Sequence, residues 1–267
     1  MTESKRDRMP AVFIGHGSPM NAIEENSYTR SLNQLGREMP RPKAVLVVSA
    51  HWLTKGTYVS CVQMPETIHD FYGFPDELYR IEYAAPGAPV QAKILSQISE
   101  GEVRCDSTWG LDHASWAVLK HIYPKADVPV FELSLDYLPG TFDERPVRYH
   151  YDLARRLARI REEGVLVLGS GNAVHNLRMI DFRNTEAAPY DWALAFDEDL
   201  SRALLAGNID KLIDYRTMPG GDLAVPTLDH YLPMIYTLGM KQTGESLKFV
   251  HEGFQNKSIS MRSFIIR

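Results

Sequence analysis

The sequence predicts an α/β fold: a three-layer α/β/α single domain on a central, mostly parallel mixed sheet. Three observations carry this expectation. Short β-branched apolar runs recur along the chain and end in Gly, Ser or polar clusters, as strands covered on both faces do. Amphipathic stretches long enough for helices lie between them, and strand alternating with helix marks a layered sheet. Two late apolar runs read as an antiparallel closing pair, which makes the sheet mixed.

In chain order, the first strand is expected at 11–14, before GHGSP, and the first helix at 27–38. A second strand at 44–49 precedes AHW, and a helix follows at 89–99. Strand 128–135, helix 150–163, strand 165–168 before GSGN, and helix 192–206 continue the alternation. PTLDHYLPMIY reads as a helix start with Thr227 as N-cap after Pro226. The closing pair is expected within 247–250 and 258–266. The Gly/Pro-rich patches at 83–89 and 218–226 are short enough to be loops inside one domain. Residues 1–8 are expected to be a flexible N-terminus and 9–267 a single domain.

Composition limits the function classes. Apolar residues make up 44% and charged residues 24%, an ordinary balance for a chain that buries a full core. The net charge of −5 and the lack of any Lys/Arg block argue against nucleic acid, which needs clustered positive charge. No apolar stretch approaches the ~20 residues a membrane span needs, and AVFI is too short for a signal-peptide core. The two cysteines, Cys61 and Cys105, form no CxxC pair. One disulfide is open to them, but packing residues in a reduced, cytoplasmic compartment fit better.

The histidines carry the chemistry. His16 in GHGSP, His51 in SAHW and His175 in GSGNAVHN each follow a predicted strand, at the edge where open α/β sheets gather their sites. His230 arrives on the PTLDHYLP segment. Gly15, Gly17, Gly169 and Gly171 permit sharp turns or close packing around His16 and His175. Neutral imidazoles are good ligands for Fe(II) or Zn(II), and three of them leave coordination positions open. Loop histidines are also ordinary hydrogen-bonding residues, and no HExxH or CxxC signature selects a ligand set. His113, in WGLDHASW, reads equally as a site edge or a buried structural residue. His69, in TIHDFYGFP, lies in an aromatic loop suited to walling a planar ligand.

Taken together, GHGSPMNAIEEN, VVSAHW, TIHDFYGFP, GLDHASW, GSGNAVHNL and PTLDHYLPMIY, in that order, resemble the LigB-type class III extradiol ring-cleavage dioxygenases, nearest the 4,5-DOPA dioxygenase branch. The resemblance spans about 9–267. It implies a mononuclear non-haem Fe(II) site, with O2 and a catechol, DOPA-like substrate, and Zn(II) able to occupy the same site. It also implies His16, His51 and His230 as metal ligands, with His175 as acid/base and His113 as a second catalytic histidine. Ser18, Trp52, His69 and Phe71 are expected against the substrate, with Arg178 as a candidate partner for its carboxylate. The broader class uses two histidines and a carboxylate, whereas His230 stands at the third position here, beside Asp229. Two other classes stay in play: a zinc-dependent hydrolase with Asp112 or Asp229 as base, and a non-catalytic metal-binding domain. A monomer or small homo-oligomer is expected.

Overall fold

A computed structural model describes residues 8–140 and 145–267. Its frame is an eight-stranded sheet in the order β4-β3-β5-β2-β6-β1-β10-β7. The strands are β1 (Ala11–Gly15), β2 (Ala44–Thr54), β3 (Thr57–Ser60), β4 (Val103–Asp106), β5 (Val130–Asp136), β6 (Val165–Gly171), β7 (Leu247–His251) and β10 (Ser263–Ile266). A two-stranded ribbon, β8 (Phe254–Gln255) with β9 (Ile259–Ser260), lies between the last two. β5, β2, β6 and β1 are mutually parallel; at one side β10 pairs antiparallel with β1, and β7 pairs antiparallel with β10. The expected mixed α/β sheet is borne out.

The four central strands are buried along nearly their whole length because helices cover both faces. Alternate side chains enter opposite layers. Phe13, Leu46 and Val167 pack with the helices Val147–Leu157, Asp191–Ala206 and Leu232–Gly239. Val12, Val47 and Leu168 pack with Ser27–Glu38 and His113–Ile122. A fully buried Val, Leu or Phe side chain contributes about 1.5–3 kcal/mol, so these two layers supply most of the stabilisation and make the sheet a rigid platform.

Several expected bounds move. The helix expected at 150–163 starts one turn earlier, at Val147, and ends at Leu157; a 3-10 turn, Ala158–Glu163, then leads to Gly164 at φ 84°. The helix expected from Thr227 begins only at Leu232. Pro233 explains the delay: it has no N–H to bond back to residue 229, and its ring fits only the first turn of a helix. His230 therefore sits in the turn before the helix. Strands β3 and β4 and the helix His113–Ile122 are elements the sequence pattern did not reveal, being strands of only four residues and a helix buried almost all round.

The cysteine expectation is corrected. Cys61 and Cys105 form a disulfide with Cα atoms 5.6 Å apart. Parallel pairing of β3 with β4 brings them together, and the Cys61 amide donates to the Asp106 carbonyl at 2.7 Å. Of the N-terminal segment expected to be flexible, 1–7 lie outside the described residues. Arg8 pairs with Glu162 at 3.2 Å and with Glu245 at 3.6 Å. Among the described residues no helix is long and apolar enough to cross a membrane.

Candidate metal centre

The carboxyl ends of β1, β2 and β6 converge, and the histidines collect there. His16 follows β1, and its amide donates to the Gly171 carbonyl at the end of β6. Gly17 then takes φ 64°, a left-handed turn that an L side chain resists. His51 lies on the last part of β2. His230 is brought in by close backbone packing: the Asn172 amide donates to its carbonyl at 2.9 Å. A Cβ on Gly171 would stand 2.2 Å from that carbonyl oxygen. Gly171 thus serves His230, which the sequence had placed on an unrelated segment.

The three imidazoles of His16, His51 and His230 form a nearly equilateral triangle, with ring centroids 5.3, 5.2 and 5.1 Å apart. One nitrogen from each lies within 4.8 Å of the others. Their outer nitrogens are all occupied. Ser170 Oγ donates to the Ala114 carbonyl at 2.6 Å, so at 3.1 Å from His16 Nδ1 it can only accept. Asp70 accepts from His51 Nδ1 at 2.9 Å, and Asp229 accepts from His230 Nδ1. Each Nδ1 therefore carries the proton, and each Nε2 holds a free lone pair. His51 Nε2 is buried with no hydrogen-bond partner. Three such nitrogens with anchored outer edges suit a divalent metal, whose histidine ligands are held in this way.

Charge on the cluster follows burial and partners. Burial, then the neighbouring His230, holds His16 well below the ordinary imidazole range. Burial also lowers His230, against the opposing bond from Asp229. His51 feels the same burial, but its bond to Asp70 and the charge of Asp112 outweigh it and raise its pKa. Asp70 is pushed up by burial yet ends well below the usual carboxylate range, because His113 and His51 both donate to it.

Two further histidines face the triangle. The His113 ring centroid is 4.1 Å from that of His51, and its Nδ1 donates to Asp70 at 2.8 Å while its amide donates to the same oxygen at 3.0 Å. Burial first, and His51 second, lower its pKa to about 4. His175 stacks on His230 with ring centroids 3.5 Å apart and the ring planes nearly parallel, and burial holds its pKa well below the ordinary range. All five histidines open on one cavity of about 310 Å³.

The other expected residues divide. Ser18 and Phe71 line the cavity, with Ser18 Oγ also capping the turn Pro19–Ala22 and Phe71 standing edge-on to His113. Trp52 does not line it. Neighbouring strand residues point to opposite faces, so Trp52 is buried and stacks on Trp109 at 5.1 Å while His51 faces the cavity. His69 does not line it either; its Nε2 contacts the Ile81 carbonyl at 3.0 Å and its ring supports Phe71. Arg178 is exposed outside the wall. Asp70 is the residue that sequence reasoning missed, although it sits between His69 and Phe71. The available signal was a carboxylate in an aromatic loop of a histidine-rich chain, where ligand histidines need an acceptor.

Comparison with known proteins follows the same line. A family model described as the catalytic LigB subunit of aromatic ring-opening dioxygenase matches residues 10–265. The chain is 44% identical over 261 residues to an Escherichia coli (strain K12) protein named 4,5-DOPA dioxygenase extradiol, covering 96% of this chain and 94% of that one. A Beta vulgaris protein of the same name is 36% identical, covering 94% of each. A crystal structure of an uncharacterised Escherichia coli K12 protein superposes with TM-score 0.83 at 40% identity, covering 97% of this chain and all of that one.

Proposed function

Because the chain belongs to the LigB family of aromatic ring-opening dioxygenases, we propose that it cleaves the ring of a catechol, DOPA-like as its relatives' names indicate, next to the two hydroxyls and with O2. His16, His51 and His230 hold the metal in this reading: Fe(II) for turnover, with Zn(II) able to take the same three nitrogens. The observation that carries it is the near-equilateral triangle with every Nδ1 already anchored. When bound, the metal supplies charge that acidifies the catechol hydroxyls and an electron path between ring and O2.

The chain's own groups do the rest. His175 is neutral at working pH because burial disfavours its charge, so one of its ring nitrogens is ready to take a hydroxyl proton and later return it. His113 is neutral for the same reason, and with Nδ1–H fixed to Asp70 its Nε2 is an acceptor for the second hydroxyl. Phe71, edge-on to His113, walls the ring and keeps water from it.

The hydrolase alternative needs a carboxylate free to activate water. Asp229 is bonded to His230, and Asp112 is fully buried, accepting from Ser49 Oγ at 2.6 Å. A closed structural site is disfavoured by the cavity at the triangle's open side. The proposal covers residues 9–267 as one catalytic domain, a monomer or small homo-oligomer with no nucleic-acid partner. The cytoplasmic placement expected from the sequence loses a support to the Cys61–Cys105 bond, since disulfides persist mainly in oxidising compartments. Reconstitution under argon with Fe(II) or Zn(II), then addition of catechol and air, tests the activity. A yellow ring-opened product with Fe(II) alone is expected; equal product with zinc, or none with either, sinks the reading.

A further inference from the structure

Four of the five cavity histidines have Nδ1 set against a partner: Ser170, Asp70 or Asp229. His175 is the exception, since among the described residues no hydrogen bond holds either of its ring nitrogens. Its ring is aligned by the stack on His230 and by the place of its own backbone. A group that must meet a proton within hydrogen-bond reach loses rate steeply with small displacements. The backbone at 174–176 therefore carries the alignment.

That backbone is hydrogen-bonded on both sides. On one side the His175 amide donates to the Ala224 carbonyl at 2.9 Å, and the Asn176 side-chain amide donates to the Leu223 carbonyl at 2.8 Å. On the other lies the β8–β9 ribbon, with Ile259 bridged antiparallel to His175. The Ser260 amide donates to the Val174 carbonyl at 3.1 Å, and the Asn176 amide to the Ser258 carbonyl at 3.3 Å. Ser258 Oγ adds a bond to the Asn176 carbonyl at 2.9 Å.

A ribbon with two residues in each strand is too short to stand alone. Here both strands are braced. Ser260 Oγ donates at 2.7 Å to Asp197 of the helix Asp191–Ala206, and Arg262 closes a two-pronged ion pair on the same buried carboxylate. On the β8 side, Gln255 and Asn21 exchange amide bonds at 2.9 and 3.0 Å, and Asn21 also donates to the His16 carbonyl at 3.3 Å. One strand thus grips the turn that carries His16, and the other grips the segment that carries His175.

We infer that Ser258, directly, and Asp197, through Ser260, are positioning residues that hold His175 at the proton-transfer distance. The inference rests on the ring-cleavage reading for the acid/base role of His175. Its geometric content, that the ribbon sets where the His175 ring stands, is independent of that role.

Ser258→Ala and Ser260→Ala test it, each removing one hydroxyl and leaving the backbone bonds in place. In zinc-loaded protein the imidazole Cε1–H signals are read by NMR, with His175 identified by its loss in His175→Ala. Both variants are expected to shift or broaden the His175 signal while the His51 signal and the zinc content stay as in the parent. With Fe(II), a catechol and air, each is expected to lose about 10–100-fold in kcat with KM changed less than about twofold. Added to His175→Ala, either substitution should cost nothing further, because the two act through one group. Glu245→Gln, which weakens the fold elsewhere, should keep the parent kcat. A His175 signal unmoved in both variants overturns the inference whatever the activity. A full, additive loss in the His175→Ala background also overturns it, since the serines would then act on stability alone. If the iron-loaded parent cleaves no catechol, the ring-cleavage reading falls, and the NMR signals still decide whether the ribbon positions His175.

Discussion

Arg161 and the histidine triangle are both buried polar groups near the ends of the sheet, and they dispose of their hydrogen-bonding capacity in opposite ways. Arg161 is 0% exposed, and its guanidinium donates to the carbonyls of Met9 and Met240 and, through two nitrogens, to both Glu245 oxygens. It ties the start of β1 to the segment beyond the helix Leu232–Gly239. In each histidine of the triangle the structure occupies Nδ1 and leaves Nε2 open toward the cavity. A cluster built for stability closes every donor and acceptor, because an open one costs about 1–3 kcal/mol when buried. A cluster that binds something accepts that cost at the atoms the ligand will use.

Removing an open nitrogen should have the largest effect on function. His230→Ala is expected to lose bound metal, and with it at least about a thousandfold in turnover, while circular dichroism shows the fold retained. Metal content unaltered by elemental analysis would remove His230 from the ligand set. His175→Ala should keep the metal yet lose about 10²–10⁴ in kcat; metal loss there would make His175 a ligand instead. Asp70→Asn acts one bond further out, since it weakens the acceptor for both His51 and His113. A drop of about 10–100-fold in metal affinity or turnover is expected, and a variant matching the parent in both would reduce Asp70 to a packing residue.

The closed cluster should behave in the reverse manner. Glu245→Gln is expected to cost about 2 kcal/mol of stability at pH 7 with no change in turnover per folded molecule. Glu245 has some burial raising its pKa, but Arg161 holds it below the ordinary 4.5. Its contribution is therefore complete above pH 4.5 and fades as pH falls through the lowered folded value. The gap in Tm between parent and variant should close over that acidic range. A gap that stays constant would show that the ion pair is not its source.

How much of this was legible in the chain varies by element. Four strands and the helix Ser27–Glu38 could be read because apolar periodicity and flanking polar clusters are local signals. The late helix start at Leu232 also has a local cause, since the restriction that Pro233 imposes on the preceding turn outweighs the capping capacity of Thr227. The disulfide was not legible, since β3–β4 pairing, not spacing, brings Cys61 to Cys105. Trp52 was expected at the substrate from its place beside His51 and His69 from its aromatic loop; the strand's two-residue period turns Trp52 to the other face, and the Ile81 contact holds His69 off the cavity.

By itself, then, the sequence determined the layered α/β architecture and a family pattern that picked out five histidines. Both are carried by short-range order: runs, turns and motifs that survive without knowing what packs on what. Tertiary structure alone decided which nitrogen of each imidazole is free. That depends on acceptors contributed from distant segments, Ser170 for His16 and Asp70 for His51, and on the backbone approach of His230 to Gly171. It also decided that the cavity's rim is apolar, because Tyr72, Leu177 and Phe182 meet only when their loops fold over the same end of the sheet. Hydrogen-bond direction and the lining of a cavity are properties of neighbours in space, and no spacing along the chain encodes them.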